Sequence, residues 1–322
     1  LYHRATTLEP RAAMVRDTES WRSPGRQTLV VAGVTWVFEA GCGHHLEFLK
    51  ICKQTSNAPL STILQEIIGK KGVIGMFDGF IPWGTLQSVF KGGVFGLSKA
   101  LIDKLMYPVV DRGTVSRSTA DTIAGAGAGG VQGFVLSPTL LLKTRVMTDP
   151  VFRQPLPFVE NIAKSFTVGG RVIRDEGVSS LMKGAGTFAT KRVFDWGTRF
   201  AFSNAAEDLL FRRGLPTEEA KKKLSYGQQL IASTIGGTLS AAATVPLDVM
   251  VAQIQQAGSA GKQVGMIETF VAQYREGGFE RVAGFATRGF ALRWAHVTLT
   301  TIVVKNGTVL VTDLLEARRK GT

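Results

Sequence analysis

Cysteine is nearly missing from this chain: Cys42 and Cys52 are its only two, ten residues apart on what reads as one helix. At a rise of 1.5 Å per residue they stand about 15 Å apart, too far to bridge. A disulfide scaffold is excluded, and both read as structural thiols. Histidine is equally sparse. His3, His44, His45 and His296 show no ligand spacing, and neither a metal nor another cofactor is expected. Acids are short as well, 25 against 38 Lys and Arg, which leaves a formal charge of +13. Charged residues nevertheless make up only 20% of the chain and apolar ones 44%, a balance that excludes disorder. No phosphate-cradling Gly-Lys-Ser loop and no nucleophile elbow occur, so an enzyme is not expected.

What is present is apolar sequence gathered into segments. Mean hydropathy is +0.12 despite the many cations, which points to a membrane. The positive charge calls for anionic partners: membrane phospholipid, cardiolipin included, or a small anion. Nucleic acid fits poorly, because the cations sit beside hydrophobic runs and not in basic clusters interleaved with aromatics. Residues 1–27 read as an Arg-rich extension without the apolar core of a secretory signal, and a mature, processed or partial start fits them.

Periodicity is the strongest signal. Three decapeptides recur, KKGVIGMFDG ending at Gly79, DEGVSSLMKG ending at Gly184 and REGGFERVAG ending at Gly284, spaced by 105 and 100 residues. Three units therefore fill the chain, at 28–110, 115–214 and 226–318, within one domain. Upstream of each lies a second pattern: HLEFLKICKQ from His45, PTLLLKTRVM from Pro138 and PLDVMVAQIQ from Pro246. Assembled across copies it reads Pro, any, acid, any, any, base, and no copy carries it whole. The first has Glu47 and Lys50 but His45 for the Pro; the second has Pro138 and Lys143 but Leu140 for the acid. The third has Pro246 and Asp248 but Val251 for the base.

Apolar stretches at 28–43, 122–136 and 230–245 precede these patterns, and others at 81–106, 187–210 and 285–315 follow the decapeptides. Joined to the motifs, they are long enough for helices that cross ~30 Å of hydrocarbon. The expected fold is an all-α membrane protein with six transmembrane helices in three pseudo-symmetric repeats. Small residues recur four apart before the motif, as Gly125, Gly129 and Gly133 or Ser233, Gly237 and Ala241, a spacing that lets helices approach closely in lipid.

A tripartite chain with a Pro-acid-base motif on each odd helix and a Gly-rich decapeptide before each even one resembles the mitochondrial carrier family, from about Thr28 to Leu315. The stretches GFIPWGTLQSVFKGG and KGAGTFATKRVFDWGTRF are most similar to its citrate/2-oxoglutarate carrier type. The resemblance implies an inner-membrane bundle around a central pathway, with surface helices on the matrix side near 60–68, 160–172 and 266–274, and exchange of solutes by alternating access. It implies kinks at Pro138 and Pro246, and a matrix gate in which the acid of one copy pairs with the base of the next: Glu47 with Lys143, Asp248 with Lys50. The acid missing at Leu140 and the base missing at Val251 are then partners. Removing one member of a buried ion pair costs ~3 to 5 kcal/mol, whereas replacing both by apolar residues is often neutral. Leu140 and Val251 therefore read as a matched apolar replacement. Gln54 and Gln255 stand where the family braces the gate. Lys143 and Arg145 have a plainer alternative, snorkelling to an anionic leaflet, which is the reading taken for Arg145 and not for Lys143.

Charges kept inside membrane helices are functional candidates by default. Seven residues past each repeat glycine, where the family contacts substrate, stand Leu86, Lys191 and Ala291. Arg192 adjoins Lys191, Lys91 and Arg288 stand near equivalent depth, and Gln87 and Arg293 share the same helix faces. Such cations suit a substrate with two or three carboxylates, since Arg binds a carboxylate through two hydrogen bonds and Lys acts as a point charge. The alternative pairs some of them with Asp195, Glu207 or Asp208. Two functions stay open: an exchanger of di- and tricarboxylates such as citrate and 2-oxoglutarate, or a carrier-fold protein without transport that serves a larger inner-membrane protein complex of respiratory-chain type. The paired loss at Leu140 and Val251 favours the first.

Overall fold

The computed structural model describes residues 24–215, 224–259 and 266–321, and the regular structure of these residues is helical. Helix α1 (Pro24–Phe38) widens into a π-helical turn at Glu39–Gly43 and continues as α2 (His44–Thr55). Gly43 permits that turn, because a Cβ there would lie 2.5 Å from the Phe38 ring. After α3 (Leu60–Lys71) comes α4 (Thr85–Asp111). Next are α5 (Arg117–Val135) and α6 (Ser137–Thr148), parted at Leu136. Pro138 sits in the first turn of α6, where its missing N–H leaves no bond unmade. They are followed by α7 (Phe158–Glu176) and α8 (Ala185–Glu207). The last helices are α9 (Tyr226–Ser259), which contains Pro246, α10 (Met266–Ala286), bent at Gly277 and Gly278, and α11 (Phe290–Gly321).

The long helices close a ring: α1 packs on α4, α4 on α5, α5 on α8, α8 on α9, α9 on α11 and α11 on α1. At one end α2, α6 and α9 also touch each other, which narrows the ring there. Apolar side chains such as Leu97, Leu101 and Leu105 on α4, or Val131, Phe134 and Val135 on α5, face outward, while Lys50, Lys143, Lys191, Asp195 and Asp248 are buried inside. That is the inverse of a water-soluble bundle and suits lipid outside and polar contacts within. Tyr226–Ala252 and the run Phe270–Gly321 are long and apolar enough to cross a membrane.

Close helix approach depends on the expected small residues. A Cβ on Gly129 would stand 2.5 Å from the Arg192 carbonyl oxygen, one on Gly133 would stand 2.8 Å from Ala189 Cα, and one on Gly125 would overlap the Phe200 ring. All three contacts seat α5 on α8. In the third unit the tightest contact is Gly236 on Ser203, one residue before the expected Gly237.

Two sequence expectations change. Left-handed glycines precede α4, α8 and α11 at Gly79 (φ 79°), Gly184 (φ 77°) and Gly289 (φ 74°). In the third unit that turn follows Gly284 by five residues, since Gly284 lies inside α10. Arg145, expected to snorkel, instead pairs with Glu176 at the end of α7, with Nη2 at 2.9 Å from Oε2, and Lys183 Nζ reaches the same oxygen at 2.9 Å.

Hydrogen bonding from Arg145 holds the Glu176 carboxyl down to about 2, from an ordinary 4.5. A carboxyl depressed on folding adds stability above its unfolded pKa and loses it as pH falls through the folded one. The contribution of Glu176 is therefore present above about pH 5 and fades toward pH 2. Thermal melts in detergent check this: Glu176→Gln should flatten the acid limb of the stability curve, modestly because the site is partly exposed. In the same assay Gly129→Val should destabilise by ~1 to 3 kcal/mol through overpacking. Gly170→Ala, on an exposed stretch of α7 with open space around it, should be neutral or stabilising.

Candidate functional site

Where α2, α6 and α9 converge, their motif residues meet. Lys143 Nζ lies 2.6 Å from Glu47 Oε2 and 3.3 Å from Gln87 Oε1, and Lys50 Nζ lies 3.4 Å from Asp248 Oδ2. Leu140 and Val251 pack together with Phe188 as a buried apolar cluster. The i, i+3 spacing of Glu47 and Lys50 puts both on one face of α2, from which each reaches a different neighbour. Gln54 is buried and donates to the Arg288 carbonyl at 3.5 Å. Gln255 lies on α9, but its side chain is outside the described residues.

Above this constriction is a cavity of about 420 Å³. Lys50, Lys91, Lys191, Arg192, Arg199 and Arg293 line it, against the carboxylates of Glu47, Asp195 and Asp248, an excess of three positive charges among the lining residues. Lys191 Nζ bridges Asp195 Oδ2 at 2.7 Å and Asp248 Oδ1 at 2.6 Å. Arg293 bonds Asp195 Oδ1 at 2.5 Å and the Thr244 hydroxyl at 2.6 Å, and its other nitrogen bonds Asp248. Arg192 lies 3.7 Å from Asp195 and donates to Gln132, whose Oε1 also accepts from Trp196 Nε1 at 3.2 Å. Lys91 and His296 each lie 3.6 Å from Glu39, which is carried by the π-helical turn. With most cations matched to a carboxylate, the cavity is lined by a set of ion pairs.

Of the candidate binding residues, Gln87, Lys91, Lys191, Arg192 and Arg293 line this cavity. Arg288 does not. It lies in the turn before α11, next to left-handed Gly289, with its guanidinium 5.3 Å from the Phe285 ring centroid. The count from Gly284 also misplaced Ala291, which is exposed, whereas a count from Gly289 reaches His296 on the cavity wall. Leu86 is exposed too, one residue from the lining Gln87. Sequence reasoning missed Glu39, Gln132, His296 and Arg199. For Glu39 the signal was available: a carboxylate inside an apolar run.

The family model for mitochondrial carrier protein matches residues 115–214 and 222–303, more than half of the chain. The chain belongs to the mitochondrial carrier family. It is 28% identical to mitochondrial substrate carrier family protein Z of Dictyostelium discoideum, over 84% of this chain and 90% of that protein. It is 26% identical to the citrate/oxoglutarate carrier protein of Saccharomyces cerevisiae over 66% of each chain. To the mitochondrial dicarboxylate/tricarboxylate transporter of Arabidopsis thaliana it is 24% identical, over 80% of this chain and 84% of that one. Mitochondrial carriers are transporters and not enzymes.

The apolar contact at Leu140 gives a direct test of facing. Leu140→Asp alone buries an unpaired charge and should cost ~3 to 5 kcal/mol. Val251→Lys alone should cost a similar amount, and the double variant should recover most of the loss in a detergent melt. Additive losses would show that the two positions do not face each other.

Proposed function

We propose that this carrier exchanges small carboxylate anions, di- and tricarboxylates such as citrate and 2-oxoglutarate, across the mitochondrial inner membrane by alternating access. In this reading the ring is six crossings in three pseudo-symmetric repeats, and the ring end closed by Glu47 with Lys143, Lys50 with Asp248, and Leu140 against Val251 is the matrix gate. The excess of three positive charges lining the cavity carries the proposal. An anion with two or three carboxylates offsets that excess, and a neutral solute does not.

Lys191 and Arg293 would take substrate carboxylates in place of Asp195 and Asp248, with Lys91 and Arg192 completing the set and Gln87 as a hydrogen-bonding neighbour. The names of the yeast and Arabidopsis relatives support the substrate class. The matched apolar pair at the gate supports retained transport, because it leaves no charge unpaired there.

Uptake of labelled citrate and 2-oxoglutarate into liposomes bearing the purified protein tests the reading. Wild-type uptake should require internal counter-substrate, and the Lys191→Ala, Arg192→Ala double variant should lose about a hundredfold in rate. No uptake of any di- or tricarboxylate by folded protein would refute it.

A further inference from the structure

The cations of the cavity are not equivalent. Lys191, Arg192 and Arg293 lie against Asp195, Lys50 against Asp248, and Lys91 against Glu39. Arg199 lines the same cavity, yet among the described residues it forms no hydrogen bond and no ion pair. Its Nε is buried without a partner, and its guanidinium rests over the Trp196 indole, 4.8 Å from the ring centroid. Asp195, one helical turn away on α8, is already held by Lys191 and Arg293.

The support beneath Arg199 is rigid. Trp196 stacks on Phe95 of α4 with centroids 3.9 Å apart and donates to Gln132 of α5. Arg192 lies over the same indole at 5.5 Å, so two guanidinium groups flank one ring. Arg199 stands eight residues beyond Lys191 on α8, about 12 Å along the axis and farther from the gate.

An anion that reaches Lys191 and Arg293 must displace a protein carboxylate, whereas at Arg199 no carboxylate has to be displaced. A largely buried guanidinium without a counter-charge is costly, and an arriving carboxylate relieves that cost through a bidentate, charge-assisted contact. We propose that Arg199, seated on Trp196, is an outer carboxylate subsite that captures the incoming anion before it passes to the inner cluster of Lys191 and Arg293. The proposal rests on the carrier reading above and adds to it a second, sequential binding position.

The test is the concentration dependence of labelled citrate uptake in proteoliposomes, for wild type, Arg199→Gln and Arg199→Lys, at low and at high salt. Arg199→Gln should raise KM about tenfold with kcat within about twofold, and should weaken the salt dependence of kcat/KM; Arg199→Lys should recover part of the loss. A fall in kcat with unchanged KM would mark Arg199 as structural and overturn the proposal. Should Arg199→Gln not fold, Arg199→Lys carries the test alone: KM should rise about threefold, and an unchanged KM overturns the subsite. Absence of any uptake by wild type would instead sink the carrier reading, and the subsite with it.

Discussion

The carboxylate of Asp248 holds cations from three helices at once: Lys50 of α2, Lys191 of α8 and Arg293 of α11, while its own backbone belongs to α9. Burying four charged groups is tolerable only when each is closely matched, because the effective desolvation penalty is several kcal/mol per ion. Asp195 supplies the second carboxylate and the Thr244 hydroxyl a further acceptor, so Arg293 is engaged at both terminal nitrogens. The packing of α8, α9 and α11 around the cavity rests on this cluster. It also ties the convergence of α2 and α9 to the cavity wall, since Lys50 reaches Asp248 from α2 and Lys191 and Arg293 reach it from α8 and α11. In the proposed cycle, an anion that takes Lys191 and Arg293 changes what Asp248 can offer Lys50. Ligand binding is then felt at the gate through a shared ion, with no further element needed.

The contacts between the three sequence units differ in kind. The first and second units are joined by Glu47 with Lys143, and again where buried Asp78 accepts from Asn161 and Lys71 donates to the Phe152 carbonyl, each at 2.7 Å. Trp83 adds a bond to the Ser165 carbonyl at 3.0 Å. Where α2, α6 and α9 converge, Lys50 and Asp248 link α2 with α9, and Leu140, Val251 and Phe188 form an apolar contact, while Lys191 with Asp248 and Arg293 with Asp195 tie α8 to α9 and α11. Separating an apolar contact exposes area at ~25 cal/mol per Å², whereas separating a buried pair also demands solvation or re-pairing of two charges. A motif repeated in the sequence makes unlike contacts where α2, α6 and α9 converge.

The contacts where α2, α6 and α9 converge were the most legible part of the chain, because a motif repeated three times marks the positions and the family resemblance implies how they pair. Leu140 and Val251 could be matched from sequence since each fills a gap that the other copies define. The cavity was only partly legible. Lys191, Arg192 and Lys91 announced themselves as charges in apolar helices, but depth on α11 had to be counted from a glycine. Gly284 has the right local sequence, and the backbone places the left-handed turn at Gly289, so Arg288 was drawn into the site on a faulty count. Asp195 was recognised only as an alternative partner, although it proves to be one of the two carboxylates on which the cluster is built. Nothing in a spacing pattern shows that a carboxylate one turn from Lys191 will be shared with α11.

In the proposed cycle the same ion pairs would also confer selectivity. Since Lys191 and Arg293 are already satisfied by Asp195 and Asp248, a neutral or cationic solute that entered would have to part them and leave charges unpaired in a desolvated site. An anion can exchange places with a protein carboxylate at little net loss of pairing. Discrimination by net charge then arises from the penalty imposed on the wrong solute as much as from attraction of the right one. A monocarboxylate satisfies one cation and strands the next, so the second and third carboxylates of the proposed substrates are what let the cluster rearrange without an orphan charge.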